Sequence, residues 1–145
     1  MNVKVERLQK HLALIRTCAG WSASELGERL GVTRQMVNNL ESGRNRMTMM
    51  QYLAIRQVLA EEIEKSKEND DTKMLQDVIL VLVDEPEQFT EEQCNQVLSD
   101  ANLLAPSIVT KKTTRKKASS VWVAALAGAV LLVSVGAKIF LKDND

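Results

Sequence analysis

Two glycines four residues apart, Gly27 and Gly31, constrain this chain more than any other feature. They lie in GWSASELGERLGVTRQMVNNLESG, residues 20–43, where Leu26, Leu30, Val32, Val37 and Leu40 recur at helical spacing. That spacing places the five apolar side chains on the inner side of a corner made by two short helices crossing near a right angle. Gly27 falls where the helices approach, and any larger side chain there would push the second helix away. Gly31 falls at the turn, where a left-handed backbone costs glycine almost nothing. Ser22 precedes the first helix with Glu25 three residues on, a capping-box arrangement, and Thr33 stands as N-cap of the second. The polar residues are left facing outward.

With its small residue, turn glycine, inner valine and trailing LESG, the segment resembles the helix-turn-helix of the Cro and phage-repressor type, the bacterial XRE family. The resemblance covers about the first 60 residues and implies an all-α, five-helix-type repressor-like domain that binds double-stranded DNA. It makes residues 33–40 the recognition helix, with Arg34, Gln35 and Asn39 reading base edges and Asn38 a weaker reader. Ser22, Thr33, Ser42, Arg44, Asn45 and Arg46 match positions that hold phosphates. Arg16 and Glu41 match a pair that forms an internal ion bridge. Ala23 departs from the family, which often carries a glutamine there that touches a phosphate and braces the recognition helix. Leu40 replaces a frequent aromatic residue.

Residues 121–141, VWVAALAGAVLLVSVGAKIFL, carry one charge, Lys138, near their far end. As a helix they would span about 31 Å, which matches a hydrocarbon core of about 30 Å. Trp122 and Phe140 suit the headgroup level at the two ends, and Lys138 can snorkel to it. Lys111, Lys112, Arg115, Lys116 and Lys117 precede this expected transmembrane helix with no acid among them. Such a run places the N-terminal side in the cytoplasm and suits contact with anionic lipid headgroups. The expected location is therefore a bacterial cell membrane, crossed once, with the DNA-binding domain inside. Ala124, Gly128 and Leu132 share a face of the span on which close helix contact is possible.

Charge divides the chain into three parts. Residues 1–60 carry nine basic and four acidic side chains, residues 61–105 three basic and thirteen acidic, and residues 106–145 seven basic and two acidic. Thr48 with Gln51 opens a further helix to about Lys65 with Met50, Leu53, Leu59 and Ile63 among its apolar positions. The sequence AEEIEKSK carries no stop, so this helix is expected to project beyond the domain. Met74, Leu75, Val78, Ile79 and Leu82 fit a helical stripe before Pro86; the run VILVLV is apolar on every side and fits a strand too, but a lone strand would have no partner within the chain, which favours the helix. Thr90 with Gln93 starts a helix with Cys94, Val97, Leu98 and Ala101 on one face. Pro106 is expected to end it. These two middle helices carry more apolar surface than they can hide from each other, which points to burial against the projecting helix or a second copy, and so to a homodimer.

The expected organisation is a helix-turn-helix DNA-binding domain over 1–66, a short acidic helical region over 67–105, a basic linker over 106–120, a single C-terminal transmembrane helix over 121–141 and a tail of residues 142–145. Cys18, Cys94 and the single histidine His11 match no metal pattern, and no glycine-rich phosphate loop is present. The reading therefore includes no metal, no cofactor and no enzyme activity. Two function classes follow: a membrane-anchored transcriptional regulator acting as a dimer on operator DNA, or a structural protein. The order of parts also resembles RodZ-type cell-shape proteins, in which a repressor-like domain binds a protein filament instead of DNA.

Overall fold

A computed structural model describes residues 2–113. Seven α-helices follow one another in them: α1 (Val3–Lys10), α2 (Leu12–Cys18), α3 (Ala23–Leu30), α4 (Arg34–Glu41), α5 (Met49–Lys65), α6 (Asp70–Ile79) and α7 (Glu91–Thr113). A π-helical turn, Leu80–Asp84, extends α6, and a 3-10 turn, Pro86–Gln88, leads to α7. No strand occurs among the described residues.

Side-chain caps set most of the helix starts. Asn2, Ser22, Thr33, Thr48 and Asn69 each accept a first-turn N–H, and Thr48 with Gln51 forms a complete capping box. The same reciprocal pair recurs at Thr90 and Gln93, at 2.8 and 3.1 Å. Helices α1 and α2 are one amphipathic stretch interrupted at His11: Val5, Leu8, Leu12 and Ile15 continue a single buried stripe across the break.

One core holds all seven helices. Val5, Leu8, Leu12 and Ile15 from the first stretch, Leu26, Val37 and Leu40 from the corner, Tyr52, Ile55 and Leu59 from α5, Met74, Leu75 and Val78 from α6, and Val97, Ala101 and Ile108 from α7 belong to it. The run VILVLV is apolar throughout because all of it but the half-buried Leu80 is enclosed. Val81, Leu82 and Val83 are all buried in the π turn, whose Leu80 carbonyl accepts the Glu85 N–H at 2.9 Å. Two ion pairs bind the segment to the head: Arg56 to Asp84 at 2.9 Å and Arg7 to Glu87 at 3.6 Å, while Arg7 also donates to the Val83 carbonyl at 3.3 Å.

Four expectations are corrected. Helix α5 does not project: it ends at Lys65, the chain turns at Ser66, and α6 folds back so that Glu62 near its end is buried. The inward face of α5 is Tyr52, Ile55 and Leu59, whereas Met50 and Leu53 are 81% and 58% exposed. Pro106 does not end its helix, because α7 runs through it to Thr113. Proline cannot donate to the Asn102 carbonyl, a loss of about 3 kcal/mol in an exposed helix. Here Ala101, Ala105 and Ile108 carry the buried face across the proline, which is itself exposed. Finally, of the two burials expected for α6 and α7 the structure shows the one within the chain, against α5 together with α2, so their apolar faces do not call for a second copy.

Among the described residues no helix is long and apolar enough to cross a membrane. The expected span, 121–141, and the basic residues Arg115, Lys116 and Lys117 lie outside them.

Candidate nucleic-acid interface

The corner is built by close backbone approach. A Cβ placed on Gly27 would lie 2.7 Å from the Val32 carbonyl oxygen and 3.3 Å from the Thr33 carbonyl carbon, so no side chain fits. Gly31 ends α3 at φ +73°, and the Val32 N–H closes the turn on the Gly27 carbonyl at 2.9 Å. Leu26, Val37 and Leu40 are fully buried beneath the corner, with Leu30 and Val32 packed at its edge.

An ion pair locks α4 to α2. Arg16 donates from Nε to Glu41 at 2.5 Å and from Nη2 at 3.2 Å, while its Nη1 donates to the Trp21 carbonyl at 2.8 Å. Both side chains are less than one fifth exposed, and such a two-pronged, partly buried pair fixes orientation as well as charge. Trp21 is buried under α3, and the Arg29 guanidinium lies 4.5 Å from its ring centroid.

On the outer side of α4, Arg34 and Gln35 are exposed in the first turn, and Asn38 and Asn39 are half-exposed one turn on. Gln35 Nε2 donates to Asn39 Oδ1 at 3.0 Å. This pairing uses the Gln35 amide nitrogen and the Asn39 side-chain oxygen, and leaves the Gln35 side-chain oxygen as an acceptor and the Asn39 amide as a donor. Thr33 Oγ1 accepts the Met36 N–H and Ser22 Oγ accepts the Glu25 N–H, both at 3.1 Å. Each hydroxyl keeps its own hydrogen to donate, beside first-turn amides that have no partner within their helix.

The loop after α4 is pinned from a distance. Gln9 on α1 donates from Nε2 to the carbonyls of Leu40, at 3.0 Å, and Asn45, at 2.6 Å, and its Oε1 accepts the Met47 N–H at 2.9 Å. Asn45 further donates its N–H to the Asn39 carbonyl at 3.2 Å, and Ser42 Oγ donates to the same carbonyl at 3.2 Å. Ser42, Arg44, Asn45 and Arg46 are all exposed on this braced loop. Gln9 carries no local signal for this role, since its partners lie 31 to 38 residues away.

Residues 12–66 match the family model described as helix-turn-helix. This segment runs from the start of α2 to the end of α5 and contains every expected base-reading and phosphate position. No curated protein and no solved structure matches the chain. Residues 12–66 are accordingly a helix-turn-helix segment, while α6 and α7 pack onto it from outside the matched region.

One groove of about 710 Å³ sits beside the helix-turn-helix corner. Ser22, Ala23 and Ser24 at the start of α3 and Arg34 and Asn38 on α4 form one side, and Pro106 and Val109 of α7 the other. Ala23 has no side chain long enough to reach across to α4. The cysteines take no part in this surface. Burial, reinforced by the Asp71 carboxylate, pushes the Cys18 thiol up to about 12, and burial also raises Cys94, so both stay protonated thiols. Burial, with Lys10 adding to it, lowers the His11 pKa, so that the ring is neutral at pH 7. Among the described residues no cluster of three His, Cys, Asp or Glu side chains could hold a metal ion.

Proposed function

We propose that this protein is a membrane-anchored, sequence-specific DNA-binding transcriptional regulator that reads operator DNA through the N-terminal turns of α4. The observation that carries the reading is the exposed row Arg34, Gln35 and Asn39 on a helix whose position is set by Gly27 and by the Arg16–Glu41 pair. An arginine can fork onto guanine N7 and O6. The remaining acceptor and donor of Gln35 and Asn39 complement the N6 and N7 edge of adenine, each good bidentate contact giving about 1 to 3 kcal/mol of discrimination. Ser22, Thr33, Ser42, Arg44, Asn45 and Arg46 hold the flanking phosphates and set the register.

The regulator acts as a dimer on two half-sites about one helical turn apart, the geometry that helix-turn-helix domains use on symmetric operators. The apolar stretch 121–141 anchors it, and the basic run before that stretch keeps the DNA-binding domain on the cytoplasmic side. Site selection from random duplex DNA by residues 1–113 tests the central claim, with an Arg34→Ala, Gln35→Ala variant alongside. A two-fold symmetric site enriched by the parent and lost by the variant is the expected result. No enrichment at low salt by a folded fragment would sink the DNA reading.

A further inference from the structure

Among the described residues five large apolar side chains are exposed, and three of them, Met49, Met50 and Leu53, stand together on the first two turns of α5. The other two, Val3 and Leu103, lie on α1 and α7. The same face of α5 continues through Ala54, Gln57 and Glu61, all exposed, because these positions recur three and four residues apart. The chain's other helices pack on the opposite face, which carries Tyr52, Ile55 and Leu59. From Met49 to Gln57 the exposed face is uncharged over about 12 Å of helix. Its two ends differ in sign. At one stand the positive dipole end of α5 and Arg46, exposed two residues before the Thr48 cap; at the other stands Glu61, about 18 Å further along the axis.

We propose that this face of α5 is where two copies of the chain pair, as an antiparallel contact about a two-fold axis near Leu53. The inference rests on the dimer reading given above, and it supplies the surface that α6 and α7 do not. A second copy fits because a face with an apolar centre and ends of opposite charge is complementary to itself when turned by half a revolution. Met49 and Met50 of each copy then meet Leu53 and Gln57 of the other, and each positive end meets the other copy's Glu61. The face begins at the loop that follows α4, so pairing through it relates the two α4 helices by the same axis, the symmetry of paired half-sites. Its apolar part is short, which makes the dimer weak, with a dissociation constant on the order of 10 µM.

The test uses the full chain in non-ionic detergent without DNA. Leu53→Cys, next to the axis, should cross-link to its own copy under mild oxidation about ten-fold faster than Leu103→Cys, an exposed leucine on α7 that serves as the control. Both are made with Cys94→Ser, which leaves Cys18, a buried thiol, as the other cysteine. In sedimentation, Leu53→Glu should weaken the dimer roughly ten-fold with unchanged helical circular dichroism, and Leu103→Glu should leave it as it is. Glu61→Arg should weaken it too, since like charges then meet at both ends. Equal cross-linking of the two cysteine variants, or a Leu53→Glu chain that pairs as the parent does, overturns the proposal. So does a Glu61→Arg chain that pairs more tightly. A parent that stays monomeric yet binds a single half-site, with binding lost in Arg34→Ala, Gln35→Ala, overturns this inference and leaves the DNA reading standing. Cross-linking at Leu53 in a chain that selects no DNA does the reverse.

Discussion

The α3–α4 corner and the α6–α7 arm are both capped helical pairs in one core, yet they are held in different ways. In the corner, backbones touch: Gly27 leaves no room for a Cβ, and a two-pronged ion pair fixes the outer helix. In the arm, side chains touch: Met74, Leu75, Val78, Val97 and Ala101 fill space between helices that have no glycine among them. The proposed reading, in which Arg34 and Gln35 meet a DNA groove in register, needs the first kind of joint, which has one geometry. A supporting layer can use the second, where volume and apolarity suffice.

The largest effect should come from Gly27→Val. Its Cβ would meet a backbone carbonyl that cannot move without opening the turn, so a loss of more than about 3 kcal/mol is expected in urea unfolding of residues 1–113. A cost near 1 kcal/mol would mean that the corner is as adaptable as the arm. Next, Leu75→Ala should cost about 3 kcal/mol through the cavity it leaves. Followed by fluorescence of Trp21, the only tryptophan in that fragment, the loss should appear in full at the corner, since one core joins the two regions. A transition that leaves Trp21 in place while the arm melts would divide the molecule into two units.

Glu41→Ala should cost about 2 kcal/mol, because it strands the largely buried Arg16 charge with only the Trp21 carbonyl, and it should reduce DNA affinity as α4 loosens. Unchanged affinity would show that Gly27 alone positions the recognition helix.

The smallest effect belongs to the arm and has the opposite sign. Burial raises the Asp77 carboxyl to about 6, although Lys73 one turn away pulls it down, and its buried Oδ2 has no protein partner. The folded state therefore holds this proton more tightly than the unfolded chain. The resulting stability is present below the ordinary value of 3.8 and is lost as pH climbs through 6. Asp77→Asn should raise stability at pH 7 by about 1 kcal/mol, after allowing for solvent screening at a partly exposed site. Thermal melts should show the gain fading to nothing below pH 4.

Much of the helix-turn-helix segment was legible because its signals are local. Gly27, Gly31, Ser22, Thr33 and the Thr48–Gln51 box each act within a few residues, and their positions alone mark where helices start, turn and cross. The stripe Met74, Leu75, Val78, Ile79 and Leu82 was equally readable, and all five are buried. Met50 and Leu53 misled, since apolar spacing cannot tell which side of a helix a neighbour will cover. Pro106 misled in another way: its penalty is local, whereas the burial of Ala101, Ala105 and Ile108 that outweighs it is not.

The sequence by itself determined the corner and the caps, because those depend on interactions within a turn or two of helix. Only the tertiary structure decided that α5 stops and is covered, that the acidic arm closes the head's own core, that Gln9 braces the loop beyond α4, and that α7 ends beside the groove. Those outcomes hang on contacts between residues 28 to 76 positions apart, such as Arg56 with Asp84 and Arg7 with Val83. Such contacts depend on how loops bring distant segments together, and nothing in either partner's immediate neighbourhood records it.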